Sequence, residues 1–155
     1  MNKMILHITN LSHYYKNPNS EDNNLWNSTF NNINLSITKG SIVGIAGESG
    51  CGKTTLAKAI VNYFKLSGKQ NNKDYKLNGN IDFYSNSTTY NTLSSSYNQL
   101  SPPPIQMVFQ DPRTSLNMKM SLYEQLNESV KLDKSLTKDE VKNRILTMAK
   151  NFKIQ

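Results

Sequence analysis

The sequence predicts a mixed α/β fold, and three consecutive features support this. Residues 33–38 (INLSIT) alternate apolar and polar side chains, the pattern of a half-buried strand. Residues 42–46 (IVGIA) form a continuous apolar run, as expected of a strand covered on both faces in a mostly parallel sheet. A glycine-rich stretch follows, and a segment rich in helix formers begins at Lys53. Strand, glycine-rich turn and helix in this order are typical of an α/β domain.

Further strands are predicted on both sides of this unit. Residues 4–9 (MILHIT) and 76–85 (KLNGNIDFYS) have strand composition, and the second contains a turn at Asn78 and Gly79. Residues 105–109 (IQMVF) are predicted to form a short buried strand that ends at Gln110. Residues 16–24 are predicted to form a polar loop. Residues 85–104 are rich in Ser, Thr, Asn and Pro, and we expect a surface loop or an insertion there.

Three helices are predicted, over residues 53–64, 121–132 and 137–152. The last two begin with capping-box patterns, Ser121 with Glu124 and Thr137 with Glu140. The last helix carries an apolar stripe that we expect to pack in the core. The stripe consists of Val141, Ile145, Met148, Ala149 and Phe152.

Composition limits the classes of function. The 155 residues suffice for one domain, and the net charge of +7 comes from lysines spread along the chain, which does not favour a nucleic-acid partner. The single cysteine, Cys51, cannot form an internal disulfide and fits a reducing compartment. No apolar run approaches the roughly 20 residues needed to span a bilayer. We therefore expect a soluble, intracellular chain.

The glycine-rich stretch is a candidate phosphate site. Gly47, Gly52, Lys53 and Thr54 fit the Walker A pattern G-x-x-x-x-G-K-[ST] between the predicted strand and helix. The glycines let backbone N–H groups approach a β-phosphate, Lys53 adds a positive charge, and the Thr54 hydroxyl is suited to Mg²⁺. The predicted nucleotide-binding residues are Gly47, Glu48, Ser49, Gly50, Cys51, Gly52, Lys53, Thr54 and Thr55.

Three motifs together give the chain a family resemblance. GESGCGKTT (47–55), IQMVFQDP (105–112) and SLN (115–117) resemble the ATP-binding subunits of ATP-binding-cassette (ABC) transporters, most closely the importers of oligopeptides, dipeptides and nickel. The resemblance extends from LSHYY (11–15) to the end of the chain. It implies a P-loop NTPase fold in which the chain is a partial nucleotide-binding domain. This domain would comprise an N-terminal antiparallel β portion, the P-loop strand and helix, and the start of a helical subdomain.

The resemblance also implies roles for residues outside the Walker A stretch. In the family, the Gln of the VFQD motif contacts Mg²⁺ and the attacking water and couples the cassette to the permease, and Gln110 matches it. An aromatic residue near the N-terminus stacks on adenine. Tyr15 matches it best by its distance from Leu11, with Tyr14 as the alternative. The implied ligands are ATP and Mg²⁺, and the implied partners are transmembrane permease subunits and a second cassette at the cytoplasmic face of the membrane.

Several departures from the family pattern are visible. Arg113, Thr114 and Met118 replace residues common in the family. The segment SPPP (101–104) stands where basic residues usually precede the VFQD motif. These departures affect the expected contacts with the permease more than the expected nucleotide binding. The LSGGQ signature, the Mg²⁺-binding Asp, the catalytic Glu and the switch His do not occur in the 155 residues. The expectation is a cassette truncated before its signature. Two functions stay open: an ATPase subunit of an importer, or a nucleotide-binding fragment or decayed gene product that does not hydrolyse ATP.

Overall fold

A computed structural model describes most of the chain as two compact units, residues 1–99 and 100–155. The described residues are 3–17, 25–66, 75–85, 88–94, 97, 99–100, 103–111, 115–131, 133 and 135–153. Most of the predicted polar loop at 16–24 lies outside them. The mixed α/β character predicted from sequence is confirmed, since the first unit contains a sheet and helices and the second contains helices.

The first unit contains an antiparallel sheet. Its strands are β1 (Met4–Lys16), β2 (Trp26–Thr38), β3 (Tyr75–Ser85) and β4 (Thr88–Asn91), in the spatial order β2-β1-β3-β4. Strand β1 pairs with both β2 and β3 along most of its length. The three strands predicted at 4–9, 33–38 and 76–85 are confirmed, and the first two belong to longer strands than the sequence indicated.

The core of the first unit lies on the central strands and the helix that follows the glycine-rich loop. Ile8 and Leu11 of β1 and Ile81 of β3 are fully buried. The register of β1 and β3 shifts between Thr9 and Ser12 of β1. Gly79 lies at this irregularity with a φ of 102°, and a β-carbon there would come 2.5 Å from the carbonyl oxygen of Asn10. Only glycine allows the two strands to approach this closely.

The segment predicted as a surface loop or insertion, 85–104, contains regular structure. Strand β4 extends the sheet on the outer side of β3. After it, the backbone N–H of Thr92 donates to the carbonyl of Ile81 at 2.8 Å, and the Tyr97 side chain is buried. The sequence does not reveal this because β4 has only four residues, too few for periodicity to show.

The helix predicted over 53–64 is interrupted. Helix α1 (Lys53–Ile60) and the short helix α2 (Tyr63–Leu66) are separated by Val61 and Asn62. Asn62 has a left-handed φ of 56°, a conformation that asparagine tolerates better than most residues. Leu56 and Ala59 of α1 are buried in the first unit. The prediction of one continuous helix was therefore wrong.

Two predicted buried strands do not form. Residues 42–46 have no strand pairing and are exposed; Ile42 is 100% exposed. Residues 105–109 in the second unit also lack strand structure, and Val108 is 95% exposed. An apolar run indicates a tendency to be buried, but a strand also needs neighbours that hydrogen bond to its backbone. The sheet within the described part of the chain contains neither segment.

The second unit contains a helical pair, α3 (Leu122–Lys131) and α4 (Lys138–Asn151). Both predicted capping boxes are confirmed: the backbone N–H of Glu124 donates to Ser121 Oγ at 3.2 Å, and that of Glu140 donates to Thr137 Oγ1 at 3.4 Å. A cluster of apolar side chains joins the helices. It contains Val130, Val141 and Ile145, with Leu126, Leu136 and Met148 packed against them.

Two of the five residues of the predicted stripe on the last helix, Phe152 and Ala149, are not part of this cluster. Phe152 is 73% exposed, because α4 ends at Asn151 and Phe152 occupies the C-cap position. Ala149 is half-buried, whereas Val141 and Ile145 are buried as predicted. The burial predicted from the periodicity was therefore correct within the helix and wrong at its C-terminal end.

Candidate nucleotide-binding site

The glycine-rich stretch forms a loop at the N-terminus of helix α1. Its centre is a turn in which the backbone N–H of Cys51 donates to the carbonyl of Glu48 at 3.4 Å. Gly52 is the N-cap residue of α1 and has a left-handed φ of 95°. The Walker A residues thus lie at a helix N-terminus, as the sequence predicts.

The Lys53 side chain folds back into this loop. Its ammonium nitrogen donates to the carbonyl oxygens of Gly47 at 2.7 Å and Glu48 at 2.6 Å, and it lies 3.6 Å from Cys51 Sγ. The loop is therefore already curled around a positive charge. The ammonium group of Lys53 therefore already lies within the loop, where it could donate a strong hydrogen bond to a phosphate oxygen.

The first turn of α1 supplies further donors. The first helical bond at this end runs from the backbone N–H of Leu56 to the carbonyl of Gly52 at 2.8 Å. The N–H groups of Lys53, Thr54 and Thr55 precede it and have no acceptor within the helix. The first turn contains no acidic residue that would repel an anion. These donors, the helix dipole and the ammonium group fit a polyphosphate.

The loop rests on strand β2. A β-carbon at Gly52 would lie 2.8 Å from Thr29 Cγ2, 3.2 Å from the Thr29 carbonyl oxygen and 3.3 Å from Phe30 Cδ1. The position before Lys53 therefore requires glycine on two grounds, its positive φ and its contact with β2. The sequence pattern predicted the glycine but not the strand beneath it.

The two candidate adenine-stacking tyrosines lie on opposite faces of the sheet, since side chains alternate along a strand. Tyr15 is opposite Tyr75 in the β1–β3 register, and the Tyr75 ring lies 6.1 Å from the His13 ring. This is the face on which the loop rests, because the Thr29 side chain contacts both His13 and Gly52. Tyr14 faces the other side, where its hydroxyl donates to Asn31 Oδ1 at 3.4 Å. Tyr15 is 44% exposed.

Sequence reasoning missed His13 and Thr29. His13 is only 4% exposed, and its Nδ1 lies 3.0 Å from Thr29 Oγ1. Burial lowers the pKa of His13 below its usual value of 6.5. No local pattern could have identified the pair, because it depends on a cross-strand register that is shifted on both sides of His13.

Gln110 belongs to the second unit and its side chain is exposed. Its assignment as a Mg²⁺ and water contact stays a prediction. Met118, one of the departures from the family pattern, is 88% exposed in the same unit. Arg113 and Thr114 lie outside the described residues.

Comparison with known proteins decides the family. The profile of the ABC transporter family matches residues 30–155. The chain belongs to this family. The match includes the Walker A loop and the segment around Gln110, and the predicted fold class, a partial P-loop nucleotide-binding domain, is confirmed.

Several curated ABC transporter subunits are similar to the chain. The spermidine/putrescine import ATP-binding protein of Borreliella afzelii is 36% identical over 88% of this chain and 36% of its own length. The nickel import ATP-binding protein of Shigella flexneri is 30% identical over 94% of this chain and 50% of its own. The oligopeptide transport ATP-binding protein of Escherichia coli is 36% identical over 71% of this chain and 30% of its own.

The chain thus spans half or less of each of these relatives. Their names cover polyamines as well as the nickel and peptides expected from sequence, so the similarity does not single out one substrate. No solved structure gave a significant match. Among the described residues, no helix has the length and apolar content needed to cross a membrane.

Proposed function

We propose that this ABC transporter chain is the ATP-binding component of an importer, in which ATP binding and hydrolysis drive uptake of oligopeptides, dipeptides or nickel. The observation that carries the proposal is the Lys53 ammonium group bonded to the carbonyls of Gly47 and Glu48 at the N-terminus of α1. A loop already shaped around a cation, beside N–H groups that lack helical acceptors, is suited to a triphosphate.

Mg²⁺ is the second ligand of the proposed site. The Thr54 side chain is exposed at the start of α1, and its hydroxyl is a suitable oxygen ligand. Gln110 is the other residue that we propose for Mg²⁺, as the family resemblance implies. The ion would neutralise charge on the β- and γ-phosphates. Tyr15 is the proposed stacking partner of the base, supported by its exposure and by its position on the face that holds the loop.

The proposed partners follow from the family. ABC import ATP-binding subunits work with transmembrane permease subunits and with a second cassette, at the cytoplasmic face of the membrane, and we propose the same setting here. For the substrate, the nickel and oligopeptide relatives support the class inferred from the motifs. A polyamine is the competing possibility, supported by two spermidine/putrescine import proteins at 36% and 38% identity.

Titration of the chain with a fluorescent ATP analogue and Mg²⁺ tests the phosphate site. Lys53→Ala should weaken binding between about tenfold and about a hundredfold, since a hydrogen-bonded charge is lost. Lys58→Ala is the matched control, because Lys58 lies on the same helix and its ammonium nitrogen lies over the Tyr63 ring, 5.3 Å from the ring centroid. Equal affinities of wild type and Lys53→Ala would overturn the proposal.

A further inference from the structure

Thr29 connects the glycine-rich loop to the interior of the sheet. Its Cγ2 and carbonyl oxygen form the surface beneath Gly52, where a β-carbon would come 2.8 and 3.2 Å from them. Its Oγ1 shares a hydrogen bond of 3.0 Å with His13 Nδ1. One side chain therefore touches both the residue before Lys53 and a buried histidine on the neighbouring strand. The rotamer of Thr29 cannot change without breaking one of these contacts.

His13 is held by three aromatic rings from three elements. Its ring centroid lies 5.7 Å from that of Phe30 on β2, 5.1 Å from that of Phe64 on α2 and 6.1 Å from that of Tyr75 on β3. Phe64 and Tyr75 also contact each other at 5.0 Å. Phe64 lies four residues after the end of α1. His13 is therefore linked to both ends of α1, to its start through Thr29 and to its end through Phe64.

We propose that His13 and Thr29 are positioning residues for nucleotide binding, which hold Gly52 and the start of α1 in the arrangement that accepts the phosphates. The proposal rests on the function proposed above and extends it to two residues outside the Walker A stretch. They lie on the strands beneath the loop, and His13 is two residues from the proposed base-stacking Tyr15. The pair therefore links the phosphate-binding and base-binding parts of one site.

Protonation of His13 can distinguish a role in positioning the nucleotide site from a role in packing alone. His13 Nε2 is buried and has no hydrogen-bond partner among the described residues. A second ring proton would place an unpartnered N–H and a positive charge in this cluster, which is costly. Among the described residues, the groups in contact with the ring include no carboxylate: β2 contributes Thr29 and Phe30, and β3 contributes Tyr75, whose pKa is raised by burial.

A cation lies beyond these rings. Helix α2 contributes Phe64, whose ring meets that of Tyr63, and the ammonium group of Lys58 lies over the Tyr63 ring. On β1 itself, Tyr15 lies on the same face as His13. Within the described part of the chain, a protonated His13 would therefore meet neutral rings and, beyond them, a cation. Protonation should shift the ring and Thr29 with it, and so weaken nucleotide binding.

Linkage makes this testable in the unmodified chain. If a proton on His13 weakens nucleotide binding by some factor, nucleotide must lower the proton affinity of His13 by the same factor. The chain has only two histidines, so their ring signals in a proton NMR titration are easily assigned. A saturating Mg²⁺–ATP analogue should lower the His13 midpoint by at least about 0.7 pH unit, which corresponds to a fivefold coupling at the lower end of the usual range.

His7 is the internal control for this titration. It lies on the same strand, and its Nδ1 forms an equivalent bond of 2.9 Å with Ser36 Oγ on β2, away from the loop. Its curve should be the same with and without nucleotide. A His13 midpoint that does not move on nucleotide binding would overturn the inference, as would equal movement of both histidines.

Substitution of the hydroxyl partners gives a second test. Thr29→Val keeps the branched shape beneath Gly52 but removes the bond to His13, and it should weaken binding of the fluorescent ATP analogue by at least about fivefold. Ser36→Ala removes the matching hydroxyl from His7 and should leave affinity unchanged. Equal affinities of Thr29→Val and wild type would contradict the proposal. If instead Lys53→Ala binds like wild type, the phosphate site itself is wrong, so the two failures are distinguishable.

Discussion

The ammonium nitrogen of Lys53 lies 2.6 Å from the carbonyl oxygen of Glu48, five residues earlier in the chain. This bond and the one to Gly47 close the loop around the side chain that the sequence assigns to the phosphates. If a polyphosphate binds as proposed, the same ammonium group has to turn from backbone carbonyls to phosphate oxygens. The exchange is favourable because a charged acceptor binds a charged donor more strongly than a neutral one.

The first prediction concerns the number of phosphates. If the donors of the loop and of the start of α1 bind the β-phosphate as proposed, ADP and ATP should bind much more tightly than AMP. We expect a difference of at least about tenfold, the equivalent of one charge-assisted hydrogen bond. Competition of AMP, ADP and ATP against the fluorescent analogue measures it. AMP and ADP with equal affinities would show that the loop does not hold the β-phosphate.

The second prediction concerns the base. Stacking on Tyr15 should contribute about 1–3 kcal/mol, by analogy with bases stacked on aromatic side chains in single-stranded nucleic acids. Tyr15→Ala should therefore weaken binding more than Tyr14→Ala, which changes the opposite face of the sheet and is the matched control. ATP and GTP should differ only modestly, since stacking tolerates either base. A larger loss for Tyr14→Ala would assign stacking to Tyr14.

The third prediction concerns Gly52. Gly52→Ala should abolish measurable nucleotide binding, because a β-carbon there would come 2.8 Å from Thr29 Cγ2 and the residue has a φ of 95°. Gly40→Ala is the control: Gly40 also has a positive φ, of 79°, but a β-carbon there would meet nothing within 4 Å. Binding by the titration assay and the melting temperature of both variants should be compared. If the two variants lose affinity equally, backbone strain alone explains the effect and the contact with β2 does not matter.

The fourth prediction concerns hydrolysis. The 155-residue chain alone should bind Mg²⁺–ATP without turnover above background, because a P-loop stabilises the ground state and the transition state alike. Acceleration needs a positioned carboxylate to orient the attacking water. Asp111 follows an apolar segment, but the residue proposed to contact the attacking water is its neighbour Gln110. A phosphate-release assay, with Lys53→Ala as the control, tests this. Hydrolysis that depends on Lys53 would reveal a catalytic base within these residues.

The fifth prediction concerns pH and the second unit. Hydrogen bonds from the Thr137 side chain and backbone lower the pKa of Glu140 below its ordinary value of 4.5. Since the folded form prefers the ionised carboxylate, this stabilisation is present above pH 4.5 and is lost as the pH falls through the lower folded pKa. Thr137→Ala should cost about 1 kcal/mol of stability at neutral pH, and this cost should shrink in acid.

Urea unfolding followed by circular dichroism, at neutral pH and in steps below pH 4.5, measures this change. Thr147→Ala on the same helix is the control, because Thr147 is exposed and lies outside the capping box. A cost for Thr137→Ala that stays constant over the whole pH range would contradict the role given to Glu140.

Local relationships in this protein could be predicted from sequence. The Walker A pattern located the loop and the start of α1 correctly, and the capping boxes at Ser121 and Thr137 located the starts of α3 and α4. Each depends on residues a few positions apart, whose contacts are set by backbone geometry alone. The family could also be inferred, because its motifs combine residue types at fixed short spacings.

Relationships between distant segments were decided only by the tertiary structure. The apolar run at 42–46 predicted a strand, but strand formation depends on partners far away in the chain, and the described sheet provides none for it. Which tyrosine faces the loop follows from the pairing of β1 with β3. The contact of Gly52 with Thr29, and that of Thr29 with His13, join three segments through shifted strand registers. A shift of one residue in either strand would turn the side chains to the other face, and no short-range pattern records that choice.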